Sequence, residues 1–312
     1  MQCLCLHARR VGFTSKGITV VGNLYLPPQS ATSRKGAAIA VAHPMGGVKE
    51  QTAGLHARLL AENGFVALAF DAAYQGESAG EPRGLEDPSQ RAEDVRSAVT
   101  YLSTLLAVDP GRIGALGICA AGGYVPFAAQ TDVRIKAVAT VSAVDLGSLF
   151  REGMRNTAMF TGPRALHKSL EESANARFAE AKGEQVPMVP FVPDSPDGLP
   201  MSIPSLFREG SKYYRSPRGQ HPRSTNRWPV RSTDLIINYS SYAFNDLIAP
   251  RPLLMVVGSD ADTIYFSEEA MARAKEPKEL YLVPGKAHVD LYDDAGGHLE
   301  KLVGFMADAL CQ

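Results

Sequence analysis

The residue best suited to covalent chemistry in this chain is Cys119. It stands in Ile113-Gly114-Ala115-Leu116-Gly117-Ile118-Cys119-Ala120-Ala121-Gly122-Gly123, an apolar run that passes through glycine-x-cysteine-x-alanine-glycine with no loop between. The pattern predicts a strand that turns sharply into a helix, with the sulfur at the apex. Gly117 and Ala121, two positions before and after the cysteine, are small because such a turn presses those positions together. A helix beginning here aims its positive end at the sulfur. That favours thiolate over thiol and lowers the pKa below the usual ~8.5. The plain alternative is a buried spacer cysteine at a tight turn.

A sulfur nucleophile needs a base within hydrogen-bond reach and a group that orients the base. Among seven histidines the candidate is His288, which ends Pro284-Gly285-Lys286-Ala287-His288 just after the last predicted strand. The orienting carboxylate is expected after the preceding strand, in Gly258-Ser259-Asp260-Ala261-Asp262-Thr263. Asp262 is preferred there, Asp260 is a loop-shaping alternative, and Asp145 is a third candidate. A tetrahedral intermediate also needs two backbone N–H donors. Ala120 supplies one, and Met45 in His43-Pro44-Met45-Gly46-Gly47 the other, with glycines that let the loop turn inward. His43 is read as a brace for that loop. Asp71-Ala72-Ala73-Tyr74-Gln75-Gly76-Glu77-Ser78 reads as a pocket wall. Its carboxylates lack histidines at ligand spacing, so no metal site is expected, and nothing calls for a cofactor.

These residues need elements to place them. Strands are expected at Arg9 to Ser15 and Ile18 to Leu26, joined by Ser15-Lys16-Gly17. Short continuous apolar runs at 37–42, 65–70, 113–118 and 137–141 read as strands buried on both faces. Helical spacing runs from about Lys49 to Asn63 and from Ser89 to Leu106, and Pro126 should shorten or kink the helix after Cys119. The rhythm resumes late, with strands at 251–257 and 279–283 and helices at 267–275 and 297–310. Such alternation argues for a parallel sheet covered on both faces. Residues 147–246 break it, with a helix at Pro163 to Ala181 and a proline-rich stretch from Val186 to Pro204. The division expected is one core domain, 1–146 with 247–312, and a lid insertion, 147–246.

The 312 residues carry a net charge of −1, with 45% hydrophobic and 21% charged side chains, so neither nucleic acid nor an anionic membrane is an expected partner. No run approaches the ~20 apolar residues of a membrane helix, and the first residues, with Cys3 and Cys5, lack a secretory pattern. Four cysteines are too few for a disulfide scaffold, which points to a reducing cytoplasm. The run Lys212, Arg215, Arg218, Arg223 and Arg227 contains no acid. A solvated face is its ordinary reading, and a phosphate or an acidic carrier protein the functional one. The oligomeric state is left open, a homodimer being the assembly considered.

With these residues in hand, the chain resembles the dienelactone-hydrolase-related branch of the α/β-hydrolase superfamily. More closely, it is similar to fungal polyketide transferases and bacterial α/β-hydrolase relatives. The motifs carrying the resemblance are Ala42-His43-Pro44-Met45-Gly46-Gly47, Phe70-Asp71 with Gly76-Glu77-Ser78, the cysteine turn through Tyr124, Tyr213-Tyr214-Arg215-Ser216-Pro217-Arg218-Gly219, and Gly258 to Thr263. The resemblance implies a mostly parallel central sheet flanked by helices, with an inserted lid. It also implies acyl transfer or hydrolysis in secondary metabolism, while the cysteine itself favours an acyl group held as a thioester on a small molecule or a carrier protein. Hydrolysis of small strained esters, carbon–carbon cleavage or cyclisation on the same scaffold, and a catalytically silent binding protein are the competing readings.

Overall fold

The computed structural model describes residues 8–155 and 162–311, so Cys3, Cys5 and His7 lie outside the described residues. The chain opens with the hairpin β1 (Arg9–Ser15) and β2 (Ile18–Tyr25), paired from Ser15 opposite Ile18 outward. Both loop residues, Lys16 and Gly17, have positive φ (43° and 80°), the tight turn whose twist matches that of the strands. Then come β3 (Ala38–Ala42), α1 (Thr52–Glu62), β4 (Val66–Phe70), α2 (Pro88–Ser103), β5 (Ile113–Ile118), α3 (Ala121–Thr131) and β6 (Ile135–Val141). Every residue of β3, β4 and β5 is buried, as expected for strands covered on both faces. Helix α2 has a built start: Asp87 accepts the N–H groups of Ser89 and Gln90, and Pro88 follows it directly.

The chain then leaves the sheet. Between β6 and the next sheet strand lie α4 (Leu146–Glu152), α5 (Pro163–Ala181), β7 (Met188–Val189), α6 (Ser205–Tyr214), β8 (Trp228–Pro229) and α7 (Ser232–Ile237). A short 3₁₀ turn, Asn245–Ile248, leads back. The sheet resumes with β9 (Leu253–Gly258), α8 (Ile264–Arg273), β10 (Lys278–Val283), α9 (Asp290–Asp293) and α10 (Leu299–Leu310).

The eight-stranded sheet has the order β1-β2-β4-β3-β5-β6-β9-β10. Strand β2 is antiparallel to its neighbours, and from β4 to β10 every pairing is parallel. Helices α2 and α3 pack together on one side, while α1 and α10 approach each other through His56 and His298. This is the α/β-hydrolase fold, with a mostly parallel central sheet flanked by helices. In such sheets, ligand chemistry gathers beyond the carboxyl ends of the strands, which is where the loops after β3, β5, β9 and β10 converge. The predicted helix from Lys49 begins at Thr52 instead. The reason is ionic: Lys49 is fully buried in the preceding turn, with its ammonium 2.8 Å from Asp71 and Glu50 and 2.5 Å from Glu77. Those carboxylates therefore gather around a lysine.

Candidate active site

Cys119 occupies the apex of the strand-to-helix turn. Its φ is 56°, the left-handed region a side chain enters only under constraint. Both sides of the turn hold it there: its N–H donates to Val141 O at 3.0 Å, and its carbonyl accepts from Gly122 and Val144. The need for small residues is literal. A Cβ on Gly117 would lie 2.0 Å from Ala121 O, and one on Gly122 would lie 2.6 Å from Ala143. Helix α3 runs eleven residues with Pro126 inside it.

The sulfur is nearly closed from solvent, at 2% exposure for the residue. Burial pushes the thiol up to about 11, against the opposing pull of the Tyr292 hydroxyl and the Ala120 N–H. The expected thiolate therefore gives way to a thiol in this closed state. Desolvation of an anion outweighs the helix end, whose influence amounts to a fraction of a charge.

His288 is fully buried in the loop after β10, and burial draws its imidazole down to about 3, so it is neutral. The loop approaches β9 closely: a Cβ on Gly258 would meet Lys286 O at 2.0 Å, and Ser142 Oγ donates to His288 O at 2.8 Å. Thr263 Oγ1 lies 2.6 Å from His288 Nδ1. On the other side of the ring, Tyr292 Oη lies 3.2 Å from Nε2 and also contacts Cys119. The structure thus brings Cys119 and His288 into one hydrogen-bonded chain through a tyrosine hydroxyl. Tyr214, from α6, adds a further buried ring beside Tyr292 and the cysteine.

Asp262 does not join this chain. Its Oδ2 accepts the Leu206 N–H at 3.0 Å, at the start of α6, and its Oδ1 is buried without a hydrogen-bond partner among the described residues. The orienting position expected for its carboxylate is held by the hydroxyl of the next residue. A one-residue step along the 258–263 loop turns the side chain toward the inserted segment instead of the histidine. Asp260 is exposed and bonded to Ser259, while Asp145 caps α4 through the N–H groups of Gly147 and Ser148.

Met45 and Ala120 are the residues expected to offer the two amides. The Ala120 N–H faces the sulfur. Gly47 N–H donates to Pro44 O at 3.1 Å, and Gly46, at φ 71°, is the third residue of that turn, which leaves the Met45 amide free of backbone acceptors among the described residues. His43 braces the loop: its Nε2 accepts the Ala72 N–H at 3.0 Å, and its Nδ1 lies 2.7 Å from Pro44 O. Arg91 locks it from α2, donating to His43 O at 2.9 Å while paired with Glu86 at 3.0 Å. The inserted segment presses on the same loop, with Phe191 against Gly46 and Ser224 Oγ donating to Gly46 O at 2.6 Å. Within the inserted segment lies an apolar chamber of about 260 Å³, lined by Leu149, Phe150, Leu166, Phe191, Phe207 and Trp228. Among the described residues, no group of three or more histidine, cysteine or acidic side chains is arranged to hold a metal ion.

The basic run is largely paired within the protein. Arg218 meets Asp293, Arg223 meets Glu50, and Arg227 meets Asp194. Sequence reasoning missed Thr263, Tyr292, Glu86 and Arg91. A signal existed for Tyr292, one helical turn beyond His288. For Glu86 and Arg91 there was none, because the groups they hold besides each other, Tyr124 and the carbonyl of His43, lie far along the chain.

A family model for the dienelactone hydrolase family matches residues 21–143, from β2 through both the 43–47 loop and the cysteine turn. The uncharacterized protein YcjY of Escherichia coli (strain K12) is 40% identical over 288 residues, covering 91% of this chain and 92% of its own. The crystal structure of the hypothetical protein PA2218 from Pseudomonas aeruginosa matches with a TM-score of 0.90 at 35% identity, over 99% of this chain and 96% of that one. Polyketide transferase grgF of Penicillium sp. is 26% identical over 317 residues, 98% of each chain. Its crystal structure, that of an alpha/beta hydrolase, matches with a TM-score of 0.82 at 24% identity, over 98% of this chain and 100% of that one. Fold and site thus define a hydrolase or acyltransferase of the α/β-hydrolase class. Within it, the chain belongs to the dienelactone-hydrolase-related family that includes fungal polyketide transferases and bacterial relatives.

Proposed function

We propose that the protein is a cysteine-dependent acyl hydrolase or acyltransferase that works through a thioester acyl-enzyme on Cys119. The observation that carries this is a thiol at the apex of a strained turn, joined through the Tyr292 hydroxyl to the neutral imidazole of His288. The thiol proton passes to Tyr292 Oη as the tyrosine proton passes to His288 Nε2, and the sulfur attacks the acyl carbonyl. The Met45 and Ala120 amides receive the developing oxyanion. The bond to the leaving group breaks, and His288 returns the proton to it. Water or an alcohol then attacks the acyl-enzyme, His288 takes its proton, and the carbon–sulfur bond to Cys119 breaks with the thiol restored. Thr263 orients the imidazole in both halves. Tyr292 and Thr263 take the places that a direct sulfur–imidazole contact and Asp262 would otherwise fill.

Sulfur also bears on the donor. Thioester exchange onto a cysteine is near thermoneutral, whereas acylation from an unstrained oxygen ester runs uphill. The favoured substrates are thioesters and activated or strained esters, carried on a small molecule or a carrier protein. The likeness to Polyketide transferase grgF supports a place in secondary metabolism. We assign residues 147–246 the role of a lid, since they cover the 43–47 loop and supply Tyr214. A free nucleophilic thiol suits the reducing cytoplasm. The test is intact mass after incubation with N-acetylcysteamine acyl thioesters. One added acyl group should appear on the wild-type protein and vanish in Cys119→Ala. Turnover that persists in that variant would overturn the reading.

A further inference from the structure

Glu86 takes no part in the steps above, yet its surroundings are unusual for a buried carboxylate. It lies in the loop before α2 and is 1% exposed. Its Oε1 is engaged: Tyr124 Oη donates to it at 2.7 Å, and Arg91 Nε lies 3.0 Å away. Its Oε2 is buried and, among the described residues, has no hydrogen-bond partner. A carboxylate oxygen buried in that way costs free energy until a donor reaches it. Glu86 lines a cavity of about 10 Å³ together with Met45, Gly46, Phe191, Trp228 and Arg227, whose guanidinium is paired with Asp194. That is room for a group about the size of one water. The cavity borders Met45, whose amide we assign to the acyl oxygen.

Charge selects the occupant. Arg91 and Glu86 are both buried, their side chains 4% and 1% exposed, so the pair is already neutral. An ammonium would bring an uncompensated charge into a dry site, and an anion would face the carboxylate. A neutral O–H donor meets neither objection. Phe191 and Trp228 line both this cavity and the 260 Å³ apolar chamber, so the polar and apolar spaces lie side by side. We propose that Glu86 Oε2 forms a hydroxyl-recognising subsite, and that the substrates are acyl thioesters whose chain carries a hydroxyl group. The substrate class rests on the reading of Cys119 as the acylated residue. Tyr124, whose hydroxyl donates to Glu86, belongs to α3, the helix that begins at the Cys119 turn, and this ties the subsite to the cysteine side of the site.

The test compares N-acetylcysteamine thioesters of one saturated acid with and without a single hydroxyl, its position moved along the chain. For at least one position, wild-type kcat/KM should favour the hydroxyacyl ester about tenfold, and Glu86→Gln should remove most of that preference, since a charge-assisted hydrogen bond gives way to a neutral one. The ratio is the readout, because a merely structural role would move both esters together. No preference at any position, or a ratio unchanged in Glu86→Gln, would overturn the proposal and leave a cavity for a structural water only. A second arm offers alcohols to the plain acyl donor. A change there in the partition between transfer and hydrolysis, with the hydroxyacyl ratio unmoved, would retain the subsite but assign it to the acceptor, overturning the substrate class. Calorimetric binding of the same ester pairs to Cys119→Ala reads the subsite without cysteine chemistry. Discrimination there, with no acyl-enzyme in the wild type, would sink the nucleophile and leave the subsite standing.

Discussion

The two halves of the site are built in different ways. On the cysteine side, the backbone does the placing. Gly117 and Gly122 are where contacts of 2.0 to 2.6 Å would forbid a larger residue, and Cys119 is held at φ 56° by hydrogen bonds of its own main chain. On the histidine side, placement rests on buried hydroxyls: Thr263 at one ring nitrogen, Tyr292 at the other, and Ser142 on the carbonyl. A backbone-built turn tolerates few substitutions and works as a unit. A side-chain network can be altered one oxygen at a time, and its members should show graded effects.

The comparison breaks most sharply at the nucleophile. Cys119→Ala should lower kcat/KM by roughly 10³-fold or more, while Gly117→Val should leave no soluble folded protein, since its side chain would enter the Ala121 carbonyl. A soluble, active Gly117→Val protein would show that the turn is not steric in origin. Next come the hydroxyls. Tyr292→Phe should cost about 10²-fold in kcat, Thr263→Val about 10-fold, and Asp262→Asn less than about 3-fold, following whether each touches the imidazole or the thiol. Steady-state kinetics that place Asp262→Asn among the most damaged variants would return the orienting role to the carboxylate.

The thiol offers a third measurement. With its pKa at about 11 instead of 9.0, Cys119 should react with iodoacetamide about a hundredfold more slowly at pH 7 than an ordinary cysteine, and the rate should climb with pH toward 11. Fast labelling at pH 6 to 7 would mean that the pocket opens to water in solution. Acid supplies a fourth. His288 and His298 are both drawn from 6.5 down to about 3, chiefly by burial. A depressed value means stability that is present in full above pH 6.5 and lost as pH falls toward 3, at ~1.4 kcal/mol per unit for each group as an upper bound. Thermal unfolding should show Tm falling across that window, and His298→Asn should flatten the fall. The smallest effect belongs to the surface: Arg218→Gln should shift stability by about 1 kcal/mol or less, because its pairs with Asp290 and Asp293 are partly solvated.

Much of the core was legible because its cues are local. Six-residue apolar runs marked β3, β4 and β5 to within one residue, the segment 251–257 marked β9 to within two, and Lys16-Gly17 marked the hairpin turn. Helix α6 went unread and its tyrosines entered only as a motif of the resemblance, since their packing is defined by Tyr292, far along the chain. Asp262 was chosen by chain order, but which of two adjacent side chains meets His288 depends on how the 258–263 loop turns. That in turn depends on the Leu206 N–H that claims the carboxylate. The lowered thiol pKa followed from the helix end alone, a local cue, whereas the degree of burial is set by residues a hundred positions away.

Cys119 at a strand-to-helix turn, His288 after the last strand, and a parallel sheet beneath them were determined by the sequence itself. Each is encoded in a few adjacent residues whose sterics and hydrophobic period act locally. Only the tertiary structure decided that the thiol and imidazole are both neutral, that a tyrosine hydroxyl joins them, and that a threonine stands where an aspartate was expected. It also decided that Glu86 keeps one oxygen unpaired, among the described residues, beside the Met45 loop. Those are properties of burial and of contacts between distant segments, and desolvation, which governs them, has no value until the chain has closed around the site.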